Sequence, residues 1–179
     1  MKKIIIGGLV GGIILFIWQF LSWSILNIHG SNMQYTPQQE SILEALEASG
    51  IKEGSYFLPN VAPDVPGDQR QAEMQKNVGK PWALVSYRES MDASMGSNMF
   101  RGFIMNVVLM SLLAWLLLQF KDLTLGRAVL ASLAVGFIGY MIFPYLNSIW
   151  FENNSMPDLV DAIVQFGLGG AWLGFWLGR

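Results

Sequence analysis

Four stretches of the chain, residues 4–28, 102–120, 128–146 and 158–178, are almost free of charge, and each is long enough to cross a bilayer as a helix. Their few polar and small residues recur at helical spacing. In the last stretch, at 100° per residue, Asp158, Asp161, Gln165, Leu168 and Trp172 share one face, while Gly167, Gly170, Gly174 and Gly178 share the opposite one. In the first, Gly8, Gly11, Gly12, Leu15, Gln19 and Ser22 form a small-residue groove that runs into a hydrogen-bonding patch. The second is Leu-rich with Asn106 and Ser111 as its polar members. The third carries Ser132, Gly136 and Gly139, and Pro144 near its end predicts a kink or a stop.

Between the first and second stretches, residues 29–99 change character. Thr36-Pro37-Gln38-Gln39 is a helix-start signal, followed by the apolar stripe Ile42, Leu43, Leu46 and a stop at Gly50. Ser55–Leu58 reads as a short strand, Gln69–Asn77 as a polar helix closed by Gly79, and Trp82–Arg88 as a second strand. This segment has too few large apolar residues to stand alone and is expected to lean on the spanning helices. Ser90–Asn98, with Met91, Met95 and Met99, approaches and extends the next helix. Lys121–Arg127 is a tight turn that makes its flanking helices antiparallel neighbours, and Asn147–Pro157 a short interfacial connection. The predicted fold is an all-α integral membrane protein of four transmembrane helices, with a small α/β extracytoplasmic insertion between helices 1 and 2.

Composition sharpens this picture. Apolar residues make up 53% of the chain and charged ones 13%, and the charges cluster outside the four stretches, as in membrane proteins. The basic start at Lys2-Lys3 and the following apolar run resemble a signal peptide. At about 25 residues, however, the run exceeds the roughly 7–15 of such a segment, and no small-residue cleavage site follows. It is read as a span with Trp18 and Trp23 as interfacial anchors. Lys2, Lys3, Lys121, Arg127 and Arg179 would all fall on one side, and the short loop opposite has Glu152 and neither Lys nor Arg. The positive-inside rule then puts both termini in the cytoplasm and residues 29–99 outside, in a cytoplasmic (inner) membrane. A net charge of −2 offers no basic face for nucleic acid. The absence of cysteine excludes disulfides, thiol catalysis and iron–sulfur clusters.

Candidate chemistry is sparse. Asp161 is the sharpest candidate: a carboxylate about one turn inside a span needs a partner or water. With Gln165, Gln19 and Asn106 it could form an intramembrane polar relay. The competing reading makes Asp158 and Asp161 caps at a helix N-terminus. His29, the single histidine, reads as a solvated interfacial residue; alone it cannot make a two-histidine haem site. The methionines at 91, 95 and 99 fit an amphipathic face better than a copper(I) site. Asn153-Asn154-Ser155 fits a glycosylation acceptor, a triplet too common to weigh. No nucleotide, zinc-protease or hydrolase motif is present, so neither a catalytic residue nor a cofactor or metal is expected. The small-residue faces Gly8, Gly11, Gly12 and Gly170, Gly174, Gly178 predict close helix contacts, within the chain or with another membrane subunit or a second copy. The expected function is a non-enzymatic accessory or scaffold protein docking on a membrane partner through those faces. The alternative is a small homo-oligomeric transporter or channel with a polar path at Asp161 and Gln165.

Overall fold

The computed structural model describes residues 1–92 and 94–179; Ala93, inside the predicted approach to the second span, lies outside the described residues. In chain order the elements are α1 (Lys2–Phe20), which continues as a π-helical turn over Leu21–Ile25, then α2 (Gln39–Ala48), β1 (Gly54–Leu58), α3 (Gly67–Gln75), β2 (Ala83–Tyr87) and α4 (Met95–Leu117). Next come α5 (Leu125–Tyr140), a π-helical turn over Met141–Tyr145, α6 (Leu146–Phe151) and α7 (Met156–Leu177). Four continuous helices, Lys2–Ile25, Met95–Leu117, Leu125–Phe151 and Met156–Leu177, are long and apolar enough to cross a membrane.

Two span boundaries differ from the sequence reading by more than three residues. Pro144 neither ends nor sharply breaks the third span: the helix absorbs it in the π-helical turn and runs on to Phe151, where Glu152 takes φ 52° and reverses the chain. The connection expected over 147–157 therefore shrinks to residues 152–155. The second span begins at Met95, seven residues before the expected 102, because the polar turn Met95–Asn98 is already helical. Met91 consequently lies outside that helix and shares no face with Met95 and Met99.

Chain contacts divide the described residues into two units. Unit one, 1–34 with 94–179, is the bundle. Its helices stand in a row, α4 beside α1, α1 beside α7 and α7 beside α5, so that α4 and α5, although joined by a tight turn, touch little. Thr124 caps α5 by accepting from the Arg127 amide at 3.3 Å. Every pair of neighbours is antiparallel, which gathers Lys2, Lys3, Lys121, Arg127 and Arg179 at one end, the basic end, and Asn27–Asn32 with residues 152–155 at the other. The core is Leu15, Met110, Leu113, Ala114, Leu117, Ala128, Leu173 and Leu177.

Glycines set the spacing of the row. A Cβ on Gly12 would stand 2.9 Å from the Val107 backbone of α4, one on Gly11 would meet Met110, and one on Gly8 would meet Ser111. On α7, Gly170 faces Ser132 and the Val129 backbone, and Gly174 faces Ala128 and Leu125, all of α5. Five of the six glycines singled out by sequence thus lie in close contacts of this chain with itself. Gly178 instead caps the end of α7.

Unit two, residues 35–93, holds α2, α3 and the antiparallel pair β1–β2, with Gly54 opposite Tyr87 and Leu58 opposite Ala83. Gly50 (φ 70°) and Gly79 (φ 81°) occupy the left-handed conformation that ends α2 and turns the chain after α3, a conformation costly for residues bearing a Cβ. Only Val61 and Tyr87 are buried here among large apolar residues, so this unit has little core of its own.

Candidate functional site

Asp161 sits on the second turn of α7, which starts with Pro157 in its first turn and the Ser155 carbonyl accepting from the Leu159 amide. Its stripe faces α1 and its glycine face meets α5. The α1–α7 contact is held by three indole N–H groups: Trp176 donates to the Lys3 carbonyl at 2.9 Å, Trp172 to that of Gly7 at 3.0 Å, and Trp18 to Asp161 Oδ1 at 2.9 Å. Trp18 is therefore half-buried, its indole N–H turned to Asp161. At the basic end Lys3 Nζ donates to the Leu177 and Arg179 carbonyls at 3.3 and 2.8 Å, where a helix C-terminus favours a cation.

Asp161 has two further partners. Ser22 Oγ donates to Oδ1 at 2.8 Å, and His29 Nε2 lies 3.0 Å from Oδ2. Asp161 is 8% exposed and His29 5%. The solvated histidine expected from sequence is thus corrected to a buried one, and the cause is local. The π-helical turn over Leu21–Ile25 ends with Leu26 N–H donating to the Leu21 carbonyl at 2.8 Å. Asn27 then takes φ 48°, a left-handed conformation that asparagine tolerates, and Ile28 N–H returns to the Ser22 carbonyl at 3.1 Å. This reversal folds His29 back over the end of its own helix, where it stacks on Trp23 at 4.0 Å between ring centres and 6° between planes. The Trp18 indole, the Ser22 hydroxyl and the His29 ring converge on one carboxyl group from one helix and its terminal loop, so a polar group in an apolar surrounding is satisfied within the chain.

Around this cluster the two loops of the same end are tied together. Asn32 Nδ2 donates to the Asn154 carbonyl at 2.8 Å and Asn154 Nδ2 to Ser31 Oγ at 3.1 Å, while the buried Tyr140 and Ser155 hydroxyls lie 3.1 Å apart. Of the residues predicted to join Asp161, Gln19 and Asn106 pair with each other instead, amide to amide, at 3.2 and 2.8 Å across α1 and α4. Gln165 lines the same cleft as Asp161 and has no hydrogen-bond partner among the described residues. No family model, curated protein or solved structure matches this chain. The site must be judged on its own geometry.

That geometry is not a nucleophilic triad. Ser22 bonds to Asp161 rather than to His29, so no base is in place to take its proton, and the acid is occupied as an acceptor. No group of three or more metal-ligating side chains occurs among the described residues. Sequence reasoning missed Trp18, Ser22 and His29 as partners of Asp161. The available signal was that Trp18 and Ser22 are four residues apart on the face of α1 carrying hydrogen-bonding side chains. The amide pair gives a separable prediction. Gln19→Leu strands Asn106 and should lower bundle stability by about 1 kcal/mol, and adding Asn106→Leu should recover most of it. A double-mutant cycle of unfolding in detergent checks it, and additive losses would refute the coupling.

Proposed function

We propose that this chain is an integral membrane protein acting as a non-enzymatic anchor or accessory subunit, both termini cytoplasmic, that holds residues 35–93 at the opposite membrane surface. The observation that carries the reading is the division of the bundle into a polar end and a dry end. The hydrogen-bonded side chains of Asp161, His29, Ser22 and the Gln19–Asn106 pair satisfy one another near one end. Towards the basic end the buried side chains are mainly apolar, Leu15, Met110, Leu113, Ala114, Leu117, Ala128, Leu173 and Leu177, with the Ser132 hydroxyl, unpartnered among the described residues, between α5 and α7. A largely apolar half supports holding over conduction, because an ion or proton crossing it would meet isolated hydroxyls such as Ser132 and no continuous file of acceptors. The four helices leave Ile5, Leu9, Ile17, Leu112, Leu130, Ile142 and many like them uncovered, an apolar surface that a bilayer would cover. Because the glycine faces are taken up within the chain, a partner would meet the outward faces of α4 and α5 or the unit at 35–93.

Purified protein reconstituted in liposomes should show proton and cation flux no higher than empty vesicles, and native mass after gentle detergent extraction should show a stoichiometric foreign subunit. Flux abolished by Asp161→Asn, together with a pure homo-oligomer, would replace this reading with the transport one, in which Asp161 and Gln165 line a path between copies.

A further inference from the structure

Between α1, α4 and α7, near the polar end, lies a cleft of about 380 Å³. Phe16, Phe20 and Trp23 line it from α1 together with the polar Gln19 and Ser24, Met95 and Met99 from α4, and Asp161 and Gln165 from α7. Phe20, Trp23, Met95 and Met99 are also exposed on the outside of the bundle, so the cleft opens sideways, where lipid would lie. Three features of this lining select a ligand. The only formally charged side chain in it is a carboxylate; Arg101 lines a different hollow of α4, with Asn98 and Met105. Three of the lining residues, Phe16, Phe20 and Trp23, are aromatic, a ring type that attracts cations and not phosphates. The lining also holds an amide, Gln165, half-buried and without a hydrogen-bond partner among the described residues, which leaves its oxygen free to accept. Asp161 Oδ1 already accepts from Trp18 and Ser22, whereas Oδ2 accepts from His29 alone and keeps room for a further donor.

We propose that this cleft binds the primary-ammonium headgroup of a phosphatidylethanolamine-type lipid from the surrounding leaflet. The ammonium donates to Gln165 Oε1 and Asp161 Oδ2, the phosphate stays outside at the membrane surface, and one acyl chain lies along Phe16, Phe20 and Met99. A trimethylated headgroup has no proton to donate to the two oxygens, and a glycerol headgroup brings no cation. The selectivity therefore runs ethanolamine over choline over glycerol.

The inference rests on the membrane reading above, and one experiment keeps the two apart. The full chain is extracted, exchanged into nanodiscs containing equal parts of phosphatidylethanolamine, phosphatidylcholine and phosphatidylglycerol, and released for native mass spectrometry of retained lipid. Protein that stays soluble without detergent refutes the membrane reading itself. Protein that needs detergent should retain phosphatidylethanolamine over phosphatidylglycerol by about tenfold. Gln165→Leu should abolish that preference, and Gln165→Glu, which keeps the acceptor and adds charge, should preserve or raise it; both leave the Trp18, Ser22 and His29 bonds untouched. Equal retention of the three lipids, or an unchanged preference in Gln165→Leu, would overturn the proposal. Displacement of the lipid by soluble octylammonium in preference to rebinding would overturn the lipid source in favour of a free amine.

Discussion

Replacing Asp161 with Leu is expected to destabilise the bundle by about 3–5 kcal/mol, the usual cost of removing one member of a buried charged network. The loss arises from what remains. Trp18 N–H, Ser22 O–H and the His29 ring would keep their buried positions with no acceptor, each carrying its own desolvation penalty. Asp161→Asn should cost less, about 1–2 kcal/mol, because one amide oxygen can still accept from Trp18 and Ser22 while the other position now opposes His29 with a donor unless its tautomer changes. The magnitudes distinguish two roles. An acid serving only the helix N-terminus contributes about 0.3–1 kcal/mol. A loss below 1 kcal/mol in the Leu variant would therefore make Asp161 a simple helix-end charge and dismiss the clamp. The seven tryptophans provide the signal, as intrinsic-fluorescence unfolding in detergent. Trp23, stacked on His29, makes it sensitive to release of the terminal loop before global unfolding.

The same cluster shows which parts of this fold could be read from sequence. Helical periodicity separated the two faces of α7, and those faces do meet different neighbours, α1 on the polar side and α5 on the glycine side. Periodicity works there because α7 is straight and regular. It gives no information where the backbone leaves the α-helical register, and both π-helical turns lie at the end that carries the site. A π turn lets Pro144 pass without breaking its helix, and another sets up the reversal at Asn27 that returns His29 to the bundle. His29 follows the last apolar residue of the first span, so periodicity alone leaves it at the solvated interface; nothing in the pattern signals the reversal that returns it. The position of Asp161 in a span signals a need for partners, but the amides of other spans, Gln19 and Asn106, are not the ones it finds. Gln19 and Asn106 satisfy each other because both side chains carry a donor and an acceptor, whereas a carboxylate offers only acceptors and draws pure donors such as an indole N–H. The glycine patterns identified close contacts without saying with what, since small-residue faces look the same whether the opposing helix is in this chain or another.

Gly12→Ala addresses that last ambiguity and is expected to cost about 1–3 kcal/mol, the range for overfilling a close contact. Alanine in a helix interior gains up to about 1 kcal/mol over glycine from propensity, so a net loss requires a real steric conflict. The geometry supplies one. The added methyl would lie 2.9 Å from both the Cα and the amide nitrogen of Val107 and 2.6 Å from one of its methyl groups. A side chain could turn aside, but a helix backbone can yield only by moving, so α1 and α4 must separate. Separation would strain the Gln19–Asn106 pair and the edge-on contact of Phe16 with Phe103, which span the same two helices. Gly139→Ala, inside α5, is the internal control: nothing lies within 4 Å of a Cβ added there, so no facing helix would be displaced and only the propensity gain remains. If Gly12→Ala lowers unfolding stability while the native mass stays unchanged, the groove serves this chain's own α4. If stability holds and an associated subunit or second copy is lost, the first helix faces outward, and the row of helices described above is not the arrangement in the membrane.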